Sequence, residues 1–303
     1  MKKRKIRVSR GDVVFLTLNT LFLVIFFLIT LYPLIYVLSA SFSDPDAVSG
    51  GRMVLWPVGF TLQGYEYIFK YQEIWSGYAN TLFYTVFGTL FALLITIPCA
   101  YALSRRDLKG RGAVMMYFMI TMYISGGMIP GYLNVQSLGL VDTRLFMVIT
   151  GGLSVYNMIV ARTFFSNSIP WELHEAARID GASDFTTFFR IVLPLSKPIL
   201  IVLMLYYGVA QWNSYFTAMM YLTDRAKFPL QLILKEILIS SQIGQSSIEG
   251  LTAEEISQIF QQEKTANLLK YGVIVVSSVP MLIIYPFLQK FFAKGVMIGS
   301  VKG

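Results

Sequence analysis

Charge is what this 303-residue chain has little of: 14% of its residues are charged and 55% are hydrophobic. A water-soluble domain carries about a quarter charged residues, so the balance argues against one and for a membrane protein. Acidic side chains are absent from the charge-free runs at 13–43, 74–104, 112–141, 145–161, 198–223 and 271–289. That argues against a carrier coupled to protons or sodium through carboxylates inside the membrane. A single cysteine, Cys99, leaves no intrachain disulfide or thiolate metal cluster to build. The single histidine, His174, precedes Glu175, but a zinc-protease helix needs a second histidine where Arg178 stands. No Gly-x-x-x-x-Gly-Lys-Ser/Thr phosphate loop occurs either, so nucleotide hydrolysis by that route is not available to this chain. Neither a metal nor a bound cofactor is expected, and no enzymatic activity.

What the chain has is length of apolar run. Each run is long enough, or nearly so, for the roughly 20 residues of a spanning helix. The expectation is an all-α polytopic membrane protein with six spans, at about 13–40, 77–104, 112–132, 144–166, 197–222 and 269–290. These belong to one transmembrane domain, 13–303, behind an amino-terminal segment 1–12. Seventeen of the 25 basic residues fall in the stretch up to and including Arg10, in Arg105–Arg111, in 162–197 and in the tail from Lys290 onward. Basic residues mark the cytoplasmic side. Both termini, a loop 167–196 and a tail 291–303 are therefore predicted in the cytoplasm, with 224–267 a long outer loop holding helices at Leu230–Ile239 and Ala253–Leu268. The net charge of +8 is read as this topology signal rather than as nucleic-acid binding. The first apolar run is too long for a cleaved signal and lacks a small-residue cleavage site, so it stays as a span.

Two features interrupt the oily pattern. Residues 168–198 are polar and charged, and they read as two short helices. Ser168 and Pro170 are placed to start the first, with Glu172 and Glu175 in its early turns. Gly181 is placed to end it in the left-handed conformation, and Ser183 with Asp184 to restart a helix running to Pro194. In the fifth span Gln211, Asn213, Ser214 and Thr217 are costly in lipid unless they face a partner helix or a polar path. Trp212 and the two amides also suit sugar faces and hydroxyls. Gln211, Trp212, Asn213 and Tyr215, with Tyr123 and Asn157, are the candidate path residues; helix–helix packing is the alternative for each. The methionines of the third span are expected to be packing filler, and Gly126-Gly127-Met128-Ile129-Pro130-Gly131 an irregular outer half-helix.

The stretch Glu175-Ala176-Ala177-x-x-Asp180-Gly181-Ala182, followed by Phe188, Ile191, Leu193-Pro194 and Pro198, resembles the EAA loop of bacterial ABC-importer permeases. Gln211-Trp212-Asn213-x-Tyr215-Phe216 resembles the signature of the carbohydrate-uptake branch, and Leu138–Thr143 fits its outer loop. The ending Gly295-x-x-x-Gly299-x-Val301-Lys302-Gly303 resembles the tail of the smaller maltose-type subunit. The resemblance spans essentially the whole chain. It implies a cell-membrane half-pore for a carbohydrate, an oligosaccharide by preference. The implied partners are a second permease, two copies of a cytoplasmic ATPase that uses ATP and magnesium, and an external solute-binding protein. Glu175, Ala176, Ala177, Asp180, Gly181 and Ala182 would then contact the ATPase, and Gly295, Gly299 and Lys302 would reach its dimer interface. Two rival readings are an ABC permease for peptides, amino acids or ions, and a standalone channel or facilitator.

Overall fold

The computed structural model of the chain describes residues 9–243 and 266–286, and every regular element among them is helical. In chain order these are α1 Arg10–Ser41, α2 Pro45–Ser49, α3 Gln63–Lys70, α4 Gln72–Ser104, α5 Arg111–Tyr123, α6 Met128–Ser137 and α7 Arg144–Ile149. They continue as α8 Val155–Ser168, α9 Trp171–Ile179, α10 Asp184–Leu195, α11 Lys197–Trp212, α12 Tyr215–Tyr221, α13 Leu230–Ile243 and α14 Ala266–Pro286.

Three of these helices, α1, α4 and α14, have the length and hydropathy to cross a bilayer unbroken. The most apolar part of α1 has a mean hydropathy of 2.7, and among the described residues none of it is buried. Such a surface is stable only against lipid or another apolar protein face. Two further apolar pairs are sharply bent: α5 meets α6 at 113°, and α10 meets α11 at 79°.

Each of the stretches 112–132, 144–166 and 197–222 holds more than one helix, for local reasons. Gly127 takes φ 88° between α5 and α6, which is the irregularity expected of Gly126-Gly127. Gly151, at φ 71°, parts α7 from α8, and the Ser154 hydroxyl caps α8 by accepting from the Asn157 amide. At Asn213 and Ser214 the backbone leaves α11 and restarts as α12. Of the methionine row in α5, only Met115 is buried. The outer helix expected at Leu230–Ile239 is α13, while the one expected at 253–268 lies mostly outside the described residues.

The chain clusters into two compact units, divided after Lys70, after Glu236 and after Val276. In the first, Ala40, Val48 and Met53 form a small core beside Tyr36, whose ring meets Tyr271 edge-on at 6.1 Å. Gly64 is required there, because a Cβ would lie 2.6 Å from the Leu268 carbonyl oxygen. In the second unit α4 packs against α8 and α11 around Tyr101, Met158, Phe165, Val192 and Leu203. Polar groups inside this core are paired across helices. The Tyr207 hydroxyl accepts from the Ser154 amide at 3.1 Å and shares a 2.7 Å bond with the Thr96 hydroxyl.

The far end of the same unit is held by one carboxylate. Asp142 sits at φ 58°, a conformation that Asp tolerates better than most side chains. Its carboxylate accepts from the Thr223 and Asp224 amides at 3.0 and 3.1 Å and pairs with Lys227 at 3.0 Å. The two amide bonds, with Lys227 behind them, pull the Asp142 carboxyl from 3.8 down to about 2. A lowered folded-state value gives stability that is present above the unfolded value of about 4 and is lost as pH falls from there toward 2. Asp142→Asn keeps the shape and removes the charge. Wild type should therefore melt above Asp142→Asn at pH 6, and the gap should narrow between pH 4 and pH 2. An unchanging gap in the melting curves would remove the carboxylate from this account.

Candidate functional site

The stretch 168–198 folds as the expected pair of helices, with one correction at its start. Ser168 is the last residue of α8 and does not cap α9; Pro170 occupies the N-cap position, with Glu172 in the first turn. Proline is tolerated there because the early amides of a helix have no partner to lose. The other punctuation follows the expectation. Gly181 has φ 74° just past α9, and the Ser183 hydroxyl accepts from the Thr186 amide to start α10. Residues Phe188–Val192 of α10 are wound as a π-helix.

The bracket is fastened to the end of α4 chiefly through Arg105. Arg105 bonds Asp107 and reaches Asp184 at 3.0 Å and the Tyr101 hydroxyl at 3.2 Å. It also lies 5.7 Å from the centre of the Trp171 ring. His174 is stacked between Tyr101, at 5.9 Å, and Trp171, at 5.1 Å. Burial first, and Arg105 second, push the His174 pKa below the ordinary histidine value, so the imidazole is neutral at pH 7. Tyr101 also packs against Phe188 at 4.9 Å, which ties α10 to the same anchor. One face of the bracket is thus committed to its own chain.

Its other face is open. Of the six predicted contact residues, Glu175, Ala176, Asp180 and Gly181 are exposed, Ala182 is half-buried and Ala177 is buried. Two large apolar side chains stand beside them, Ile179 at 86% and Phe185 at 78% exposure. Sequence reasoning overlooked both, although an isoleucine and a phenylalanine within a polar loop were the available signal. It also overlooked the anchoring pair Arg105–Asp184, whose partners lie far apart in the chain. Gly295, Gly299 and Lys302 lie outside the described residues.

The six path candidates divide. Gln211 is buried on α11; its amide donates to the Thr150 carbonyl at 3.2 Å and fills the space over Gly88, where a Cβ would sit 2.5 Å away. Trp212 is buried with its ring edge-on to Tyr78 at 5.9 Å, and Asn157 is buried on α8. Asn213 is exposed and its amide donates to Val209, whereas Tyr215 and Tyr123 are exposed. The structure therefore does not bring the six into one surface. Among the described residues no group of His, Cys, Asp and Glu gathers that could hold a metal ion.

No family model matches the chain. It is 43% identical over 93% of its length to the polygalacturonan/rhamnogalacturonan transport system permease protein YtcP of Bacillus subtilis, covering 96% of that protein. The chain belongs to the permease family of ABC carbohydrate importers. Within that family this permease is also 39% identical to Protein LplC of Bacillus subtilis, over 97% of each chain. A solved chain from a bacterial ABC transporter that imports the acidic polysaccharide alginate is 36% identical and superposes with a TM-score of 0.83, over 95% of this permease and all of that chain. The permease is thus a multi-pass subunit of the cell membrane, a transport subunit rather than an enzyme, and its relatives place it with sugar import rather than with peptides, amino acids or ions. Permeases of this family generally act with a second permease, an ATPase that uses ATP and magnesium, and a solute-binding protein.

Proposed function

We propose that this permease forms half of the path for oligosaccharide fragments of an acidic polysaccharide. In this reading the chain crosses the membrane six times, each bent or broken pair counting as one span, with both termini in the cytoplasm. Two identical cytoplasmic ATPase subunits serve the importer, and one of them docks on the open face of α9 and α10. A second permease completes the pore and an external binding protein delivers the solute. The acidic character rests on two relatives, one handling polygalacturonan and rhamnogalacturonan and one alginate. Asn213 and Tyr215 are the path residues this reading retains, since both side chains are exposed at the break between α11 and α12, whereas Gln211 and Trp212 are spent on packing.

The observation that carries the coupling role is the two-sided bracket: one face locked to α4 through Arg105, the other presenting Glu175 and Asp180 beside exposed apolar side chains. A lever needs a rigid attachment on one side and a docking surface on the other. Alanines and a glycine on the docking side let a partner backbone approach closely. Reconstituted with its partner subunits, the wild-type importer should take up oligogalacturonate only with ATP, and Glu175→Lys should cut that uptake at least tenfold with the protein still assembled in the membrane. A charge reversal at a buried contact costs several kcal/mol, which is ample for that loss. Uptake that continues without the ATPase would make the chain a passive channel; full uptake by Glu175→Lys would remove that residue from the coupling contact.

A further inference from the structure

Next to the anchor, the permease has a feature that the docking role does not use. A cavity of about 380 Å³ opens between the end of α4, the start of α5, the end of α8 and the first turns of α9, with Arg105, Arg106, Arg111, Arg162, Trp171 and His174 in its wall. One water needs roughly 10–15 Å³ of such space, so a polyatomic ligand fits. The wall holds four guanidinium groups, and the nearby carboxylates, Asp107 and Asp184, are both taken by Arg105. Arg106, Arg111 and Arg162 form no ion pair among the described residues.

Most of their donors are unspent as well. Arg111 gives one N–H to the Arg105 carbonyl at 3.0 Å, and Arg162 gives one to the Leu103 carbonyl at 3.0 Å. Each guanidinium carries five. The buried ring nitrogens of His174 have only the Pro170 backbone beside them. Three like charges drawn into one recess repel one another, and a bound anion would relieve that repulsion.

We propose that this pocket binds a phosphate group, carried by an anionic lipid headgroup or by a soluble phosphate compound. Three guanidinium forks reach it from separate places, the α4–α5 turn, the first turn of α5 and α8. That arrangement suits a tetrahedral anion with several acceptor oxygens better than a planar carboxylate, which one fork satisfies. The charge distribution puts this end of the permease at the cytoplasmic surface, where basic pockets between helices meet anionic headgroups. Only the side of the membrane rests on the proposed topology; the pocket itself does not. Phosphate held there would brace the α4–α5 turn against α8 and α9, the base of the bracket.

The test uses the purified permease complex in lipid nanodiscs and reads its melting temperature with two probes. One probe is phosphatidylglycerol in the disc, against pure phosphatidylcholine; the other is inorganic phosphate added to phosphatidylcholine discs, with chloride at equal ionic strength as reference. Wild type should melt higher with at least one of them. The shift should fall to less than half in the double variant Arg106→Gln, Arg162→Gln and should persist in Lys109→Gln, which removes a charge from the same turn outside the pocket. Arg106→Gln alone, at an exposed side chain, answers if the double variant does not assemble. A response to phosphatidylglycerol alone identifies a headgroup, and a response to free phosphate a soluble source; each upholds the site. No shift with either probe, a shift surviving in both arginine variants, or an equal loss in Lys109→Gln overturns it. Because the readout is melting, failure here is separate from failure of the transport reading.

Discussion

Aspartate at both Ile179 and Phe185 is expected to reduce ATP-driven uptake at least tenfold and to release the ATPase during purification. Both side chains stand almost fully out of the chain, so their replacement costs the isolated permease nothing in packing. Exposed apolar groups of that size, flanking Glu175 and Asp180, are what a partner cleft desolvates. Truncating such an anchor costs about 2 kcal/mol or more, and a carboxylate forced into the cleft costs more than truncation. The check is co-purification of the ATPase with tagged permease, together with uptake in the same preparation. If the ATPase remains bound and uptake is unchanged, the open face of α9 and α10 is not the docking surface.

The second large effect is structural. Asn80→Ala should lower the melting point of the purified permease by several degrees. The Asn80 amide donates to the Ala226 carbonyl at 2.8 Å and to the Phe228 carbonyl at 3.1 Å, where the chain turns from α12 into α13. Two neighbours on α4 hold the same turn: the Tyr84 hydroxyl donates to the Lys227 carbonyl, and the Thr81 hydroxyl accepts from the Leu230 amide. Removing Asn80 takes this donor from the Phe228 carbonyl and leaves the Ala226 carbonyl only the longer bond from Arg144 at 3.4 Å, and an unmet buried carbonyl costs about 1–3 kcal/mol. The control is Thr85→Ala on the same helix. The Thr85 hydroxyl is buried with no partner, so its loss should be neutral or mildly stabilising. Equal melting points for Asn80→Ala and wild type would mean that the turn is held without this amide.

Both predictions concern residues that the sequence treats unevenly. Glu175 and Asp180 belong to a recognisable motif, and their exposure follows from a helix whose other face is apolar. Ile179 lies between them without a label, because an isoleucine at that spacing reads equally as the buried face. Asn80 is one polar residue among many in an apolar run; the carbonyls it serves are about 146 and 148 positions away. Gln211 shows how one polar residue admits two readings. Beside a tryptophan and an asparagine it reads as a sugar contact, yet it occupies the space over Gly88 and completes the Thr150 turn. Ser168 fails for a third reason: α8 runs further than its apolar pattern, so the serine is used up as the end of one helix before it can cap the next.

Composition and local rules determined, unaided, that this is a helical membrane protein, that the polar bracket at 168–198 forms two helices parted at Gly181, and that the sequence carries no Gly-x-x-x-x-Gly-Lys-Ser/Thr phosphate loop. Those properties depend on solvent, on backbone conformations open only to glycine, and on short-range capping, all of which are carried by residues close in the chain. Which spans break, which face of the bracket is locked to Arg105 and which is left open, and where three guanidinium groups without carboxylates converge were decided by tertiary packing. Each of those outcomes depends on atoms brought together from distant positions around α4, and a single chain read in order carries no record of which distant residues will meet.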